Sequence, residues 1–276
     1  MLEGLLDPKI DFVFKQIFGS SKHPEVLISF LNATLKPIFP IKSVQFENTD
    51  LEKQFIKDKF SRLDVKATTS NGEIINIEIQ LKNEYNMIKR SLYYWGKLYE
   101  EQLGEGDDYA ELKRTVCINI LNFKYLKNDR FHNAYRLKEV QTNEELTDVC
   151  EIHFIEISKL EDNSDEKDML VAWTKFLKNP ESEDVRKLEM NIEEIRQAKD
   201  ELIRLSADKE QRRLYEIRAK MIKDENSALN KAKEEGIKEG IKEGVYKVAK
   251  SLKEAGVAIE IIENTTGLNK QEIENL

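Results

Sequence analysis

Residues 62–82 read RLDVKATTSNGEIINIEIQLK and predict a β-hairpin. Apolar and polar residues alternate in both arms, most regularly in residues 75–82, and a period of two is typical of strands with one buried face. The turn falls at Asn71-Gly72, where glycine supplies the positive φ that a tight hairpin loop needs. Two acids, Asp64 and Glu78, lie in the arms at positions that alternate with apolar residues.

The length of the hairpin loop decides whether these two acids meet, because only directly opposed residues of the two arms share a face. A two-residue loop would place Asp64 opposite Ile79 and bury one acid. A three-residue loop of residues 70–72, with Gly72 in a left-handed bulge, places Asp64 opposite Glu78 instead. Opposed carboxylates repel each other by up to about 1 kcal/mol. We expect the second register, and it predicts a cation between the two acids.

The composition excludes several classes of protein. The 276 residues are 40% hydrophobic and 35% charged, which indicates a soluble protein with much exposed helix. No apolar run approaches the roughly twenty residues of a membrane span, and the first residues lack the apolar segment of a signal peptide. We therefore expect a cytoplasmic protein with no membrane partner. Cys117 and Cys150 lie in apolar runs and are expected to be reduced core residues. The histidines His23, His132 and His153 are too widely spaced to predict a zinc site.

The charge balance argues against bulk attraction to nucleic acid. The net charge is −8, and neither half of the chain has an excess of Lys and Arg. Contacts with a nucleic acid would have to come from local patches. One such patch follows the hairpin and contains Lys82, Lys89, Arg90 and Lys97.

The first 160 residues predict one α/β domain with a mixed sheet, of the α+β kind. Asp7 is the expected N-cap of the first helix, Pro8 its first residue and Gly19 its end. Asp11 and Lys15 lie one turn apart on that helix, and an exposed ion pair is one reading of them. The predicted elements are helices at 8–18, 24–35 and 84–103, the hairpin, strands at 41–46, 115–123, 134–140 and 149–157, and a charged loop at 48–60.

The rest of the chain predicts helices. An acidic linker at 161–166 and a helix at 167–178 precede long charged helices at 189–233. Gly236, Gly240 and Gly244 then recur every fourth residue, although each costs a helix about 1 kcal/mol against alanine. Their stripe, next to that of three β-branched residues, predicts helix–helix association between subunits. The tail at 246–276 predicts three short helices, broken at glycines, that serve oligomerisation or a protein partner. We thus predict divisions at 1–160, 161–233 and 234–276.

The hairpin acids form the pattern D…E-x-Q, which suits a hard divalent cation. Mg²⁺ prefers one or two carboxylates together with waters and phosphate oxygens, so the pattern favours cleavage of a phosphate ester. Mn²⁺ or Ca²⁺ is expected to substitute in binding. The predicted ligands are Asp64, Glu78 and the backbone carbonyl of Ile79. Gln80 would orient the attacking water, and Lys82 or Arg90 would supply positive charge to the phosphate.

Several ordered motifs along the chain carry a family resemblance. They are DFVFKQIFG at 11–19, RLDV at 62–65, INIEIQ at 75–80, RSLYYW at 90–95, YAELK at 109–113 and IHFIEISK at 152–159, followed by the glycine repeat and the TGLNKQEI tail. With these motifs the chain resembles the recombination-promoting nuclease and transposase family, a bacterial branch of the PD-(D/E)XK nuclease superfamily. The resemblance covers nearly the whole sequence.

The resemblance implies an α-β-β-β-α-β restriction-endonuclease-like core, Mg²⁺-dependent DNA cleavage, and a part in recombination or mobile-element biology. It places Asp64, Glu78 and Gln80 on the catalytic D and (E/D)-x-K positions, and Asp11 on the acid of the first helix, a metal ligand of the outer shell. Glutamine stands here where the superfamily usually has lysine. Residues expected to contact DNA phosphates are Lys15, Lys89, Arg90 and Tyr94.

Other interpretations remain open from the sequence. Asp64 and Glu78 would be solvent-facing residues if they paired with Lys66 and Lys82, and Glu156 is expected to be structural. Gln80 would mark a decayed site if the protein is a non-enzymatic regulatory module that binds DNA or protein and oligomerises through its C-terminal helices. A carboxylate-pair glycosidase is disfavoured, because cross-strand neighbours would not flank a sugar. The separable tail also raises the possibility that the C-terminal helices restrain the nuclease.

Overall fold

The computed structural model describes residues 4–46, 64–165 and 167–276. The loop expected at 48–60 and the start of the first hairpin arm, at Arg62, lie outside the described residues. The chain divides into two compact units, Met1–Arg218 and Ala219–Leu276. The α-helices are α1 (Asp11–Phe18), α2 (Pro24–Leu35), α3 (Met87–Glu100), α4 (Met169–Lys178), α5 (Glu183–Asn191), α6 (Glu193–Ala207), α7 (Lys209–Glu254), α8 (Ile259–Thr266) and α9 (Lys270–Glu274).

A mixed sheet runs through the first unit. Its strands are β1 (Val44–Phe46), β2 (Val65–Thr69), β3 (Ile74–Gln80), β4 (Thr115–Leu121), β5 (His132–Lys138) and β6 (Glu145–Glu156). Their order across the sheet is β1-β2-β3-β4-β6-β5. The first three strands are antiparallel neighbours, whereas β4 is parallel to both β3 and β6. Parallel neighbours need a crossover connection, which α3 supplies between β3 and β4. The sequence of elements from α1 to β4 is the nuclease-like core that the resemblance implies.

The hairpin has the three-residue loop and the register expected from the sequence. The N–H of Thr69 donates to the carbonyl of Glu73 at 3.0 Å, and Val65 lies opposite Ile77. One residue further along each strand, the same register opposes Asp64 to Glu78. Gly72 has φ +80°, the left-handed conformation that the bulge requires. The prediction on which the proximity of the two acids depends is confirmed.

The hairpin is not amphipathic in the way that its alternation suggested. Residues 75–79 are all buried, because β3 is a central strand with helices on both of its faces. Ile75, Ile77 and Ile79 share one face of β3, and α1 contacts this strand. The alternate positions, Asn76 and Glu78, share the other face with Cys117 of β4, where α3 packs. The less apolar face therefore does not meet solvent, since tertiary packing covers it.

Helices from beyond residue 160 complete the core around the N-terminal helices. Both α4 and α6 pack against α2, and α6 also packs against α1. The rings of Phe18 and Phe30 meet Trp173 of α4 edge-on, with centroids 5.3 and 6.4 Å away. Burial of such large rings is a main source of stability in a domain. The predicted divisions at 160 and 233 stay predictions.

Most element boundaries differ from the sequence expectation by a few residues. The second helix, Pro24–Leu35, is as predicted, whereas the first begins at Asp11 and not at Pro8. Asp7 caps the turn before it, accepting from the N–H of Lys9 at 2.9 Å. Cys117 and Cys150 are free and buried, as expected. Burial raises the pKa of both thiols, that of Cys150 to about 11.

The second unit contains most of α7 together with α8 and α9. Ala249, Ile262 and Ile273, one from each helix, are buried together. Gly256 and Gly267 lie between these helices with φ of +77° and +72°, so both predicted breaks occur. The first of the three expected short helices is, however, the end of the long helix α7. The three repeat glycines lie within α7, where a Cβ added to any of them would meet no atom within 4 Å.

None of the described helices is both long enough and apolar enough to cross a membrane.

Candidate active site

Asp64 and Glu78 lie together at one end of the sheet. Asp64 immediately precedes β2, and Glu78 is near the end of β3. The Asp64 carboxylate accepts a hydrogen bond from the backbone N–H of Ile79 at 2.7 Å, so β3 fixes the position of this side chain. In a strand the N–H and C=O of one residue point to the same side. The Ile79 carbonyl, predicted as a third ligand, is therefore directed towards the same edge as Asp64.

Glu78 is a buried carboxylate that forms an ion pair with Arg90. Only 1% of its surface is exposed. Arg90 Nη2 lies 3.2 Å from Oε2, although neither oxygen meets both the distance and the angle of a hydrogen bond with a described residue. Burial raises the pKa of Glu78 to about 7, although Arg90 and Asn76 act to lower it. A buried carboxylate of this kind is costly unless a cation or a proton neutralises it.

The carboxyl of Asp64 is also pushed towards its neutral form. Burial raises its pKa well above the usual value, and the hydrogen bond from Ile79 opposes that shift. The negative charges of Glu78 and Asp11 raise the pKa further. Asp11, Asp64 and Glu78 thus form one electrostatically coupled acidic group, as like charges in proximity do.

Asp11, the acid of the first helix, is held by an arginine from far along the chain. It is the first residue of α1, and its side chain is about one-third exposed. Arg218 of α7 binds both of its carboxylate oxygens.

The remaining predicted residues surround this acidic group in different ways. Gln80 ends β3 and is partly buried, and Lys82 lies two residues beyond it. Arg90 of α3 contacts Glu78 and lies over the ring of Tyr94, 5.4 Å from its centroid. Burial, and then the charge of Glu78, raises the pKa of the Tyr94 hydroxyl. Lys15 is a partly buried residue of α1, and Lys89 is exposed on α3.

The donor set fits a divalent cation that is bound mainly by water and substrate oxygens. The register of the hairpin opposes Asp64 to Glu78, and neither oxygen of Glu78 has a hydrogen-bond partner among the described residues, which leaves lone pairs for a cation in addition to the neighbouring Arg90. In the described parts of the chain no group of three or more His, Cys, Asp or Glu side chains is arranged to hold a metal ion. Mg²⁺ needs no such group, because it keeps several waters and takes one or two protein carboxylates.

A second polar network, which no sequence pattern indicated, lies on the α1 side of the sheet. His132 Nε2 and His153 Nδ1 are 2.8 Å apart, and His153 Nε2 lies 2.6 Å from Glu151. Burial, and then the neighbouring His153, lowers the pKa of His132 to about 4. Burial alone would raise the pKa of Glu151, but hydrogen bonds from His153 and Arg114 outweigh it and lower the pKa to about 2. Glu156, expected to be structural, accepts hydrogen bonds from the backbone N–H groups of Tyr125 and Leu126 and from Lys159.

Arg218 is the residue of the site that sequence reasoning missed. It is 207 positions from Asp11 and lies in a run of charged residues with no recognisable motif. In the structure, positions 211, 215 and 218 are partly buried at helical spacing among exposed residues. The sequence itself does not mark this packed helix face, because its positions carry polar and charged residues like those around them.

Comparison with known proteins gives one match. The family described as PD-(D/E)XK nuclease family transposase matches residues 8–232, which include every residue of the acidic group, its two arginines and the sheet. No curated protein and no solved structure matches the chain.

Proposed function

The chain belongs to the PD-(D/E)XK nuclease family transposases, and from this membership we propose that it is a metal-dependent deoxyribonuclease. The substrate would be DNA, and the reaction hydrolysis of a phosphodiester bond in recombination or mobile-element biology. We further propose that it acts in the bacterial cytoplasm.

One observation carries the proposal. Glu78 lies on a central strand with both carboxylate oxygens unsatisfied, directly opposite a second carboxylate in the register of the hairpin. A fold that needed only stability would gain from apolar residues here, because a buried ion pair such as that of Glu78 with Arg90 often stabilises less than apolar residues of similar volume. A site that binds a cation explains why an acid is present.

The proposed ligands are Asp64, Glu78 and the Ile79 carbonyl, with Asp11 as an outer acid. A divalent cation bound there, Mg²⁺ or in its place Mn²⁺, would lower the pKa of a coordinated water and neutralise charge on the scissile phosphate. Gln80 would orient the attacking water through its side-chain amide, which donates hydrogen bonds but carries no charge.

The positive charge that a lysine at position 80 would have supplied must then come from elsewhere. We assign it to Arg90, whose guanidinium is already beside Glu78, with Lys82 close in sequence. Tyr94 lies under Arg90 and would hold it in place through cation–π contact. Lys15 and Lys89 are proposed to contact flanking phosphates of the DNA backbone.

A plasmid-nicking assay tests this proposal. The full chain should convert supercoiled plasmid to open circles with Mg²⁺ or Mn²⁺ and not with EDTA. Asp64→Asn and Glu78→Gln should each lower the rate at least about a hundredfold, because each removes a negatively charged ligand. Glu84→Gln, which alters an exposed acid near Arg90, should leave the rate unchanged. Cleavage that survives both ligand substitutions would exclude the assigned site.

A second function is favoured by a specific observation, the contact between Arg90 and Glu78. An arginine that permanently neutralises the acid, together with glutamine at position 80, would describe a decayed site in a regulatory module that binds DNA or protein. Isothermal titration with Mn²⁺ separates the two functions. A decayed site should give no cation-dependent heat, and an active one should give heat that Glu78→Gln abolishes.

The exposed glycine stripe of α7 supports a further part of the proposal. Gly236, Gly240 and Gly244 have open space around them, which would let the backbone of a second helix approach closely. We propose that the protein is a homo-oligomer through its C-terminal helices, and that the small helical tail binds a regulatory protein.

A further inference from the structure

Asp11 is bound by Arg218 through two hydrogen bonds. Arg218 Nε donates to Oδ1 at 3.2 Å, and Nη2 donates to Oδ2. A guanidinium that meets both oxygens of a carboxylate is the strongest arrangement of such a pair. Asp11 is also near enough to Asp64 to influence its ionisation. A cation from the protein itself therefore neutralises one acid of the proposed metal site.

The start of α7 is attached to the first unit by other contacts that do not involve Asp11. Arg212 donates to the carbonyl of Gly4 at 3.1 Å and to that of Ser206 at 2.7 Å. The hydroxyl of Ser206 accepts from the N–H of Leu6 at 2.9 Å. These bonds tie the N-terminal segment to the beginning of α7. Arg218 lies six residues further along α7 than Arg212, and its contact with Asp11 is separate from these bonds.

A guanidinium and a divalent cation compete for one carboxylate, because either of them neutralises its negative charge. We propose that Arg218 is an autoinhibitory latch, which occupies Asp11 and must release it before Asp11 can assist a bound cation. The inference rests on the proposed function, because it concerns regulation of the same site.

Two features of the pair suit a contact that has to open. Arg218 is 39% exposed and Asp11 35% exposed, so water screens their attraction and can solvate both groups when they separate. Arg218 is also the last residue of the first unit, and α7 continues without interruption into the second. A second copy or a partner bound to the second unit would thus act on the helix that carries the latch.

Cation titration of the full chain tests the latch independently of cleavage. Arg218→Gln should bind Mn²⁺ or Ca²⁺ about two- to fivefold more tightly, the size expected for loss of a half-exposed competing ion pair. Arg213→Gln removes an exposed arginine of the same helix and should leave the affinity unchanged. Adding Asp11→Asn to Arg218→Gln should cancel the gain. The nicking rate with Mn²⁺ should rise in the same order as the affinity.

The outcomes separate the latch from the proposed function. Unchanged or weaker cation binding by Arg218→Gln, beside a wild-type chain that binds or cleaves, overturns the latch and leaves the nuclease assignment standing. If neither the wild-type chain nor any variant binds a cation or cleaves DNA, both the proposed function and the latch are refuted. Arg218→Lys keeps the charge without the fork and should give a smaller gain. It provides the same test if circular dichroism shows that the glutamine variant is unfolded.

Discussion

Glu78 is the residue at which stability and the proposed function oppose each other. Its carboxylate is fully buried with no hydrogen-bond partner in the described residues, and it faces Arg90 across 3.2 Å. In the metal-free protein the pKa of about 7 means that a proton neutralises this carboxylate in about half of the molecules at neutral pH. The same residue then provides a strong site for any cation that displaces the proton.

We expect Glu78→Gln to stabilise the metal-free protein in alkaline buffer. The folded pKa of about 7 exceeds the usual value of about 4.5, so the folded state binds this proton more tightly than the unfolded state does. Stability from this group is therefore complete below about pH 4.5 and is lost as the pH rises through 7. The side-chain amide of the glutamine variant does not titrate and so avoids this loss. We therefore expect the free energy of unfolding to rise by about 1–3 kcal/mol at pH 8 and to change little at pH 4.5.

Urea unfolding at the two pH values, with EDTA present, measures this difference. Glu84→Gln is the matched control, because Glu84 is exposed and also lies near Arg90. A Glu78→Gln variant that is less stable than wild type at pH 8 would contradict the assigned raised pKa.

The two hairpin acids were predictable from sequence, whereas Arg218 was not. Alternation and Gly72 fix the register locally, so Asp64 and Glu78 meet whatever the rest of the chain does. The contact of Arg218 with Asp11 spans 207 positions and depends on how α6 and α7 pack against α1. No periodic pattern in the sequence of α7 indicates that Arg218 contacts Asp11.

At the scale of elements, the hairpin loop sets the geometry of the site. Gly72 has φ +80°, and a Cβ there would lie 3.4 Å from the side chain of Lys113, which is an ordinary contact. The cost of a larger residue is therefore conformational and not steric. Gly96, within α3, has open space for a Cβ and a helical conformation.

Gly72→Ala should destabilise the protein by about 1 kcal/mol, because alanine is strained at positive φ. Gly96→Ala should have the opposite sign, with a gain of up to about 1 kcal/mol from helix propensity. Thermal unfolding of both variants measures the contrast. If Gly72→Ala were neutral, the left-handed bulge would not be what holds Asp64 opposite Glu78.

The positions of helices and strands were easier to predict than the burial of their faces. Pro24 at the first turn fixed the start of α2, and residues 75–82 alternate as a strand should. The same alternation wrongly indicated an exposed polar face, because Asn76 and Glu78 are covered by α3. Local pattern reports the conformation of a strand, but whether a helix packs over it depends on the crossover connection.

In the molecule as a whole, the order of elements from α1 to β4 could be predicted from the sequence. The packing of the later helices α4 and α6 against the N-terminal helices could not. Trp173 of α4 packs into the aromatic cluster of α1 and α2, although a linker at 161–166 suggested a domain end. An apolar stripe on a helix shows that it packs but does not name its partner. Long-range packing alone determines that α4 and α6 complete the first unit.

The glycine stripe of α7 is another helix face whose packing partner the sequence does not identify, and here the proposed partner is a second molecule. Each of its glycines lowers the stability of an isolated helix by about 1 kcal/mol relative to alanine, and none has a neighbour that would exclude a Cβ. Ile237 and Ile241 beside them are 51% and 63% exposed. Burial of this stripe against a second copy would offset both costs, since small residues allow two helix backbones to approach closely.

Gly240→Leu should therefore dissociate the proposed oligomer, because a large side chain at the centre of the stripe would separate the two helices. Analytical ultracentrifugation over a range of concentrations would show a lower mass for this variant than for wild type. Lys238→Leu adds the same apolar side chain to another face of α7 and should leave the mass unchanged. A wild-type protein that is monomeric at every concentration would refute association through α7, and the glycines would then only weaken this helix.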